Sequence, residues 1–359
     1  MNSTSQGPVL LDFVSLTCSV IMILMSLVGL CGNLVTCYVF TRPFMRSSIN
    51  VLLTGLAVCD GALCILGACA FAPLGIYSFS DTSLTLSVIS VFTVYVYPAA
   101  LIAQTASVWT LIVITVERFV AVNFPLDARS YLSPQKARLA FALVVCLSIA
   151  YNFCRFWEFR LVQTDEGFVV FDELLKKNAT YKRIYMTWAY LVLLFILPFT
   201  VLVCLNSVII MVVRRAKRHR ERLSRQQSKE HRTTTMMVMV ILFFLMCSTP
   251  PLILYLLETF STFDKTKNEW FDVVIDVCNI LVIFNSTANS FIYYKFSQRY
   301  QIIAASLLKR ILGRGGVNDQ YLTCNSMVDP SIMQNGRHHS HSKTSDRSMR
   351  LVQYEKLSK

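Results

Sequence analysis

The sequence predicts an all-α membrane protein, a seven-transmembrane helix bundle with a C-terminal amphipathic helix, from three observations. The chain of 359 residues is 54% hydrophobic and only 15% charged, which is rare for a soluble protein of this length. Seven mostly apolar runs are each long enough to cross a bilayer. The basic residues lie in short segments between these runs, and the net charge of +13 therefore indicates inward-facing connections, not a face for nucleic acid.

The seven runs divide the chain into four parts. Residues 1–13 are expected to form an extracellular N-terminus, 14–294 the bundle, 295–312 a helix on the membrane surface, and 313–359 a disordered cytoplasmic tail. The spans are placed at 14–40, 50–76, 90–123, 137–157, 185–213, 233–258 and 271–294. The bases concentrate in the third inward connection, Arg214–Arg232, which places the N-terminus outside and the C-terminus inside the plasma membrane.

Sequence features that would indicate other classes of protein are weaker. The chain start lacks a basic segment before its first apolar run, so we expect no cleavable signal peptide. There is no internal repeat and no HExxH or GxSxG motif. A channel or transporter remains an alternative, and an enzyme is not predicted. Eleven of the twelve cysteines lie in or at the ends of apolar runs, where they are expected to be small buried side chains.

Charges end the third apolar run at Glu117-Arg118-Phe119. A charge at the middle of a membrane helix costs roughly 2.5–3.5 kcal/mol, and less near the interface. The pair therefore either marks the membrane edge as a snorkelling terminus or forms a functional ion pair.

A carboxylate is also expected deep in the second span. Asp60 lies ten residues after Asn50, about 15 Å along the helix, and must be neutral or partnered there. Five polar residues fall at similar depths in their own spans: Asn33, Ser107, Asn285, Ser286 and Asn289. They indicate either an interhelical hydrogen-bond network or an oxygen-lined hole for a cation.

These motifs resemble those of a known family. Glu117-Arg118-Phe119 resembles the Asp-Arg-Tyr or Glu-Arg-Tyr of rhodopsin-like (class A) G-protein-coupled receptors. The stretch Pro98–Trp109, and the string Tyr151-Asn-Phe-Cys-Arg155-Phe-Trp-Glu158, resemble the FMRFamide-type neuropeptide receptors of invertebrates. The resemblance covers roughly residues 20–312.

The resemblance implies roles for residues along the bundle. Arg118 is expected to pair with acids at rest, including Glu230, and to meet a heterotrimeric G protein when the bundle opens. The activation switch would further include Glu117, Phe119, Pro198, Val108, Phe244, Pro250, Asn289 and Tyr293. The oxygens of Asp60, Ser107, Asn285, Ser286 and Asn289 would hold sodium as an allosteric modulator, with no other metal or cofactor.

The sequence also departs from the family pattern. Ser248 replaces the tryptophan of span six, Ser290 the proline of span seven, and Asn206 the tyrosine of span five. Thr93 stands where the family has a cysteine, and no cysteine lies between Glu158 and Tyr185. The disulfide that usually holds the second outer loop is therefore not expected.

The ligand class is narrowed by exclusion. Ala100 stands where amine receptors carry aspartate, and Ile283 where opsins carry the retinal lysine. The residues expected near the outer mouth are acidic, aromatic or polar: Tyr97, Gln104, Glu158, Trp188, Tyr255, Glu258, Asp272 and Asp276. They suit a short amidated peptide ending in Arg-Phe. A different peptide or a small molecule is the alternative, and Glu158 could instead pair locally with Arg155.

Modification sites complete the predictions. Asn2 and Asn178 lie in outward-facing sequons and are expected to carry glycans, whereas the sequon at Asn285 lies inside a span. Serines and threonines of the tail are candidates for phosphorylation by a receptor kinase, which would recruit an arrestin: Ser340, Ser342, Thr344, Ser345 and Ser348.

Overall fold

The computed structural model describes residues 6–79, 83–164, 169–173, 175–219, 225–260 and 270–312. The predicted tail and the sequon at Asn2 lie outside these residues. The chain divides into two compact units, one up to Gln298 and one from Arg299, and each is described by itself.

Helices make up almost all of the described part of the first unit. Its α-helices are α1 Gln6–Phe40, α2 Ser48–Phe79, α3 Ser83–Val91, α4 Tyr97–Asn123, α5 Pro125–Tyr131, α6 Pro134–Asn152, α7 Ala179–Tyr181, α8 Leu197–His219, α9 Arg225–Phe260 and α10 Trp270–Phe296. Wide π-helical turns occupy Phe92–Val96, Lys182–Ala189 and Val192–Ile196, and tight 3₁₀ turns occupy Pro43–Met45, Phe153–Trp157 and Leu175–Lys177. The second unit begins with α11, Gln298–Ile311.

Seven helical stretches of the described chain are long and apolar enough to cross a membrane, which confirms the predicted fold class. They are Leu11–Phe40, Ser48–Tyr77, Leu84–Asn123, Pro134–Trp157, Ala179–Arg215, Thr235–Leu257 and Trp270–Phe296. The third and fifth begin earlier than their predicted starts at 90 and 185. The fifth does so because the Asn178 side chain accepts hydrogen bonds from the backbone N–H groups of Thr180 and Tyr181, which starts the helix.

The first and seventh spans pack closely because α1 presents glycines to α10. A Cβ added at Gly29 would overlap the Thr287 side chain, and one at Gly32 would overlap Ser290. The Thr287 hydroxyl lies 3.3 Å from the Met25 carbonyl and bonds to it across the two helices. Small residues at a helix interface permit this approach of the two backbones.

The connection between the fourth and fifth spans, which the predicted topology places outside, contains a β-hairpin that sequence reasoning missed. Strand β1, Phe159–Gln163, pairs antiparallel with β2, Val169–Glu173, with Leu161 opposite Phe171. Strand β2 packs against α3. The eleven cysteines within the described residues are all free, so strand pairing and packing hold the described part of this loop without a disulfide.

Candidate functional site

The Asp60 carboxylate lies at the centre of the bundle and is fully buried. The Ser107 hydroxyl of α4 donates to its Oδ1 across 2.6 Å, and the Asn289 amide of α10 donates to its Oδ2 across 2.7 Å. The Asn33 amide of α1 donates to the Ser286 carbonyl across 3.2 Å. The structure therefore brings four helices together through the polar residues predicted for this depth.

Oxygen atoms without hydrogen-bond donors accompany this network. Among the described residues, the side-chain carbonyls of Asn33, Asn285 and Asn289 are buried and have no hydrogen-bond partner. A carboxylate combined with amide oxygens is a donor set that suits a hard cation. The residues present thus fit a sodium ion, which Asp60, Ser107 and Asn289 would hold together with the oxygens of Asn285 and Ser286. Clusters of three His, Cys, Asp or Glu side chains are absent from the part of the chain that the structure describes.

At the C-terminal end of the third span, Arg118 pairs with its neighbour in sequence. Its guanidinium lies 3.2 Å from the Glu117 carboxylate, and the two side chains are only 14% and 5% exposed. The ring of Phe119 packs edge-to-face on Phe124. The Glu230 side chain lies outside the described part of α9, so the Arg118–Glu230 pair stays a prediction.

Three of the predicted switch residues, Val108, Pro198 and Phe244, are buried in the bundle. Val108 of α4 and Phe244 of α9 are buried, and Phe199 packs edge-to-face on Phe244 at 6.0 Å between centroids. Pro198 follows the π-helical turn Val192–Ile196, whose irregular hydrogen bonding accommodates a residue without an N–H.

Helices nine and ten carry the remaining switch residues. Pro250 lies inside the continuous helix α9. The Tyr293 ring of α10 is fully buried against Phe40 of α1.

Tyrosines cluster at one end of the bundle, where the third and fifth spans begin and the fourth and sixth spans end. The Tyr255 hydroxyl of α9 donates to the carbonyls of Met186 and Thr187 at 2.5 and 3.2 Å, in the wide turn that begins span five. Its ring lies against Tyr190 at 5.1 Å. Tyr97 of α4 contacts the ring of Phe71.

A buried ion pair lies within this cluster. The Arg155 guanidinium is 3.2 Å from the Glu158 carboxylate, so the local pair expected as one alternative is formed. The tight turn Phe153–Trp157 favours it, because side chains three residues apart eclipse in a 3₁₀ helix. The Tyr181 hydroxyl also donates to Glu158 across 2.7 Å. The Tyr185 ring lies 5.2 Å from the guanidinium carbon of Arg155.

The other predicted outer residues do not all join this cluster. Asp272 is exposed on α10, and Asp276, one turn later, is half-buried beside Ser15 of α1. Gln104 is half-buried and Trp188 is 49% exposed. The Glu258 side chain lies outside the described residues. Among the interactions of the described residues, Asp276 contacts Ser15 and is close to Asp272, whereas Arg155 interacts with Glu158 and the tyrosines.

Comparison with known proteins identifies the family. The profile described as "7 transmembrane receptor (rhodopsin family)" matches residues 32–293. The chain belongs to this family. Its members are signalling receptors and not enzymes, which confirms that prediction, and the chain is a multi-pass membrane receptor.

Individual relatives narrow the resemblance. The receptor is 36% identical over 307 residues to the "FMRFamide receptor" of Drosophila melanogaster, which covers 83% of this chain and 55% of the relative. It is 33% identical over 305 residues to the "FMRFamide peptide receptor frpr-18" of Caenorhabditis elegans, covering 82% and 69%. The chain thus spans about half the length of the insect relative. The predicted similarity to FMRFamide-type receptors is confirmed.

The receptor contains site residues that sequence reasoning did not select. Tyr151, Tyr181, Tyr185 and Tyr190 surround Arg155 in the structure. The only available signal was spacing, because Tyr151 and Arg155, like Tyr181 and Tyr185, lie four residues apart on one helix face. Such spacing cannot show that two different spans meet.

Proposed function

We propose that this receptor binds a short amidated peptide of the FMRFamide type and transmits its binding to a heterotrimeric G protein. The similarity to two receptors named for FMRFamide, at 36% and 33% identity over more than four fifths of the chain, carries the proposal. A peptide ending in Arg-Phe-amide offers one cation, one aromatic ring and a neutral terminus. The outer ends of the spans offer carboxylates and tyrosines that complement these groups.

The ligand's arginine is assigned to the acids of span seven. The Glu158 carboxylate already accepts hydrogen bonds from Arg155 and Tyr181, and this pair has no net charge. Asp272 and Asp276 lie one turn apart in the first two turns of α10, at the end of the span that the predicted topology places outside. They are therefore the acids that would attract a cation entering from outside.

Transmission relies on the buried network around Asp60. It joins α2 to α4 and α10, so a ligand that shifts the outer ends of these helices also acts on their middle. A bound sodium ion would favour the resting arrangement, and peptide binding would favour the one in which Arg118 meets the G protein. This is a population shift between two states of the bundle.

The remaining partners follow from the topology. The N-terminus would lie outside the cell with glycans at Asn2 and Asn178, and Asn178 is exposed in the structure. The C-terminus would lie in the cytoplasm of a cell whose plasma membrane holds the receptor. A receptor kinase and an arrestin would act on the tail at Ser340–Ser348.

A signalling assay on the full chain tests the proposal. The receptor is expressed in cells that do not respond to Phe-Met-Arg-Phe-amide, and surface labelling confirms its presence. We expect a saturable calcium or cyclic-nucleotide response, with ligand-dependent nucleotide exchange in membranes. The matched control is Arg118→Gln, which should bind the peptide but lose the exchange. Absence of any response to a panel of amidated peptides, with wild-type receptor at the surface, would overturn the proposal.

A further inference from the structure

We propose that the buried Arg155–Glu158 pair recognises the C-terminal carboxamide of the peptide and makes the receptor selective for amidated ligands over free acids. The inference rests on the proposed function and extends it to one ligand group and two receptor residues.

The pair has an unused donor. Arg155 is 4% exposed, and its NH1 group donates to Glu158, yet its Nε–H has no acceptor among the described residues. The Tyr151 hydroxyl lies beside the guanidinium and interacts with it. A buried donor without an acceptor costs about 1–3 kcal/mol, and more when it is charged. An incoming carbonyl oxygen would remove that cost.

The Glu158 carboxylate of this pair can also accept further hydrogen bonds. A carboxylate offers about four lone-pair sites, and the two observed donors to Glu158 are Arg155 and Tyr181, both on Oε1. A primary carboxamide carries one carbonyl acceptor and two N–H donors. Its carbonyl can accept from Arg155 while its N–H group donates to Glu158.

Charge makes this arrangement selective. A free C-terminus would place a second carboxylate next to Glu158, which is only 1% exposed. Two carboxylates at one site of low dielectric repel each other, and the second one could ionise only at a cost. The neutral carboxamide avoids this repulsion. A site built to hydrogen-bond a group also discriminates strongly against analogues that lack it.

Aromatic rings next to the pair suit the residue that carries the carboxamide. The rings of Tyr185 and Tyr190 lie 5.2 and 5.5 Å from the Arg155 guanidinium carbon. Tyr181 and Tyr185 stack at 4.9 Å over the pair and are only half-buried. They lie at the start of span five, where α7 leads into a π-helical turn, an irregularity that is frequent at functional sites. These half-exposed rings would offer an aromatic contact to the terminal phenylalanine.

Changes to the peptide test the inference without altering the receptor. The probes are Phe-Met-Arg-Phe-amide, its methyl ester and its free acid, applied to the full wild-type chain in cells. The ester is neutral but has no N–H to donate to Glu158. We expect the amide to be at least about tenfold more potent than either analogue, as the loss of one charge-assisted hydrogen bond predicts. Equal potency of the ester and the amide would overturn the inference.

Changes to the receptor test the role of Glu158. Glu158→Gln keeps a carbonyl oxygen for Arg155 and Tyr181 but removes the charge, so the preference for amide over acid should fall about tenfold or more. Glu158→Asp keeps the charge and should keep the preference. Asp272→Asn removes a carboxylate from the outer mouth and should lower the potency of both peptides while leaving their ratio unchanged.

The outcomes separate the two proposals. If no amidated peptide activates the wild-type receptor at the surface, the proposed function itself fails. If the amide activates it but Glu158→Gln leaves the ratio intact, or Asp272→Asn changes the ratio equally, the inference alone fails. Should Glu158→Gln not reach the surface, the comparison of ester and amide on the wild-type receptor decides.

Discussion

Asn289 donates a hydrogen bond of 2.7 Å to the Asp60 carboxylate and so joins the seventh span to the second at the centre of the bundle. The contact uses one carboxylate oxygen, while Ser107 of the third span donates to the other. Both of these described donors to Asp60 are neutral, so they do not compensate a negative charge on the carboxylate. A cation bound beside Asp60 would compensate it.

Replacing Asp60 should abolish a sodium-specific effect on stability. We expect sodium, compared with potassium at the same ionic strength, to raise the free energy of unfolding of the purified receptor by about 1.4 kcal/mol at ten times the Kd, and with it the Tm. Asp60→Asn removes the charge and should remove the difference. Ser107→Ala keeps the carboxylate and should retain part of it. A wild-type receptor with equal Tm in the two salts would contradict the sodium site.

The close approach of α1 and α10 predicts a steric effect. Gly32→Ala would drive a Cβ into the Ser290 side chain, and overpacking of this kind costs about 1–3 kcal/mol. The matched control is Gly67→Ala, whose Cβ would have its nearest neighbour at an ordinary 3.6 Å. That change should be neutral or stabilising, because alanine favours helix over glycine by up to about 1 kcal/mol. Thermal unfolding in detergent measures both, and similar Tm values for the two variants would refute the packing argument.

The ion pair at the C-terminal end of span three leads to a prediction about ligand-free signalling. Glu117→Gln removes the carboxylate that holds Arg118, and a pair worth about 1 kcal/mol shifts a two-state population about fivefold. Basal nucleotide exchange should rise by a similar factor, and Glu230→Ala should raise it too. Asp127→Asn, an exposed acid nearby, serves as the control. Unchanged basal exchange in both test variants would argue against a resting restraint on Arg118.

The buried pair of span four predicts non-additive stability. Glu158→Ala leaves Arg155 buried without its carboxylate, which costs about 3–5 kcal/mol, so surface expression and Tm should fall sharply. Replacing both residues, Arg155→Met with Glu158→Leu, should recover most of the stability because no lone charge remains. If the double variant were as unstable as Glu158→Ala, the loss of stability could not be explained by the uncompensated charge of Arg155.

The acids of span seven predict the response to the ligand's cation. Asp276→Asn should reduce the potency of Phe-Met-Arg-Phe-amide by about tenfold, and Asp272→Asn by less, because Asp272 is exposed and its field is screened. A peptide with glutamine in place of its arginine completes a double-mutant cycle between the ligand and the receptor. It should be weak on the wild-type receptor and lose little more on the variants. Additive losses would show that these acids act elsewhere.

Local physics made much of the protein predictable. The cost of placing polar groups in hydrocarbon determines where the spans lie, and the rise of a helix determines how deep Asp60 lies in its span. Both depend on neighbouring residues alone, and so the seven spans and the depth of the polar residues followed from the sequence. The helices of spans three and five begin before the predicted starts at 90 and 185. In span five the helix begins at the capping residue Asn178, which a hydropathy pattern does not detect.

The tertiary structure decided which side chains meet. The cluster of Arg155 with Tyr185 and Tyr190 joins separate spans, and the hairpin of β1 and β2 depends on pairing and on packing against α3. Gly29 and Gly32 cannot carry a larger side chain only because Thr287 and Ser290 lie opposite them across a helix interface. Contacts between residues far apart in sequence depend on the rotation and register of whole helices, which no local pattern specifies. The sequence therefore determined what crosses the membrane, and packing determined the site.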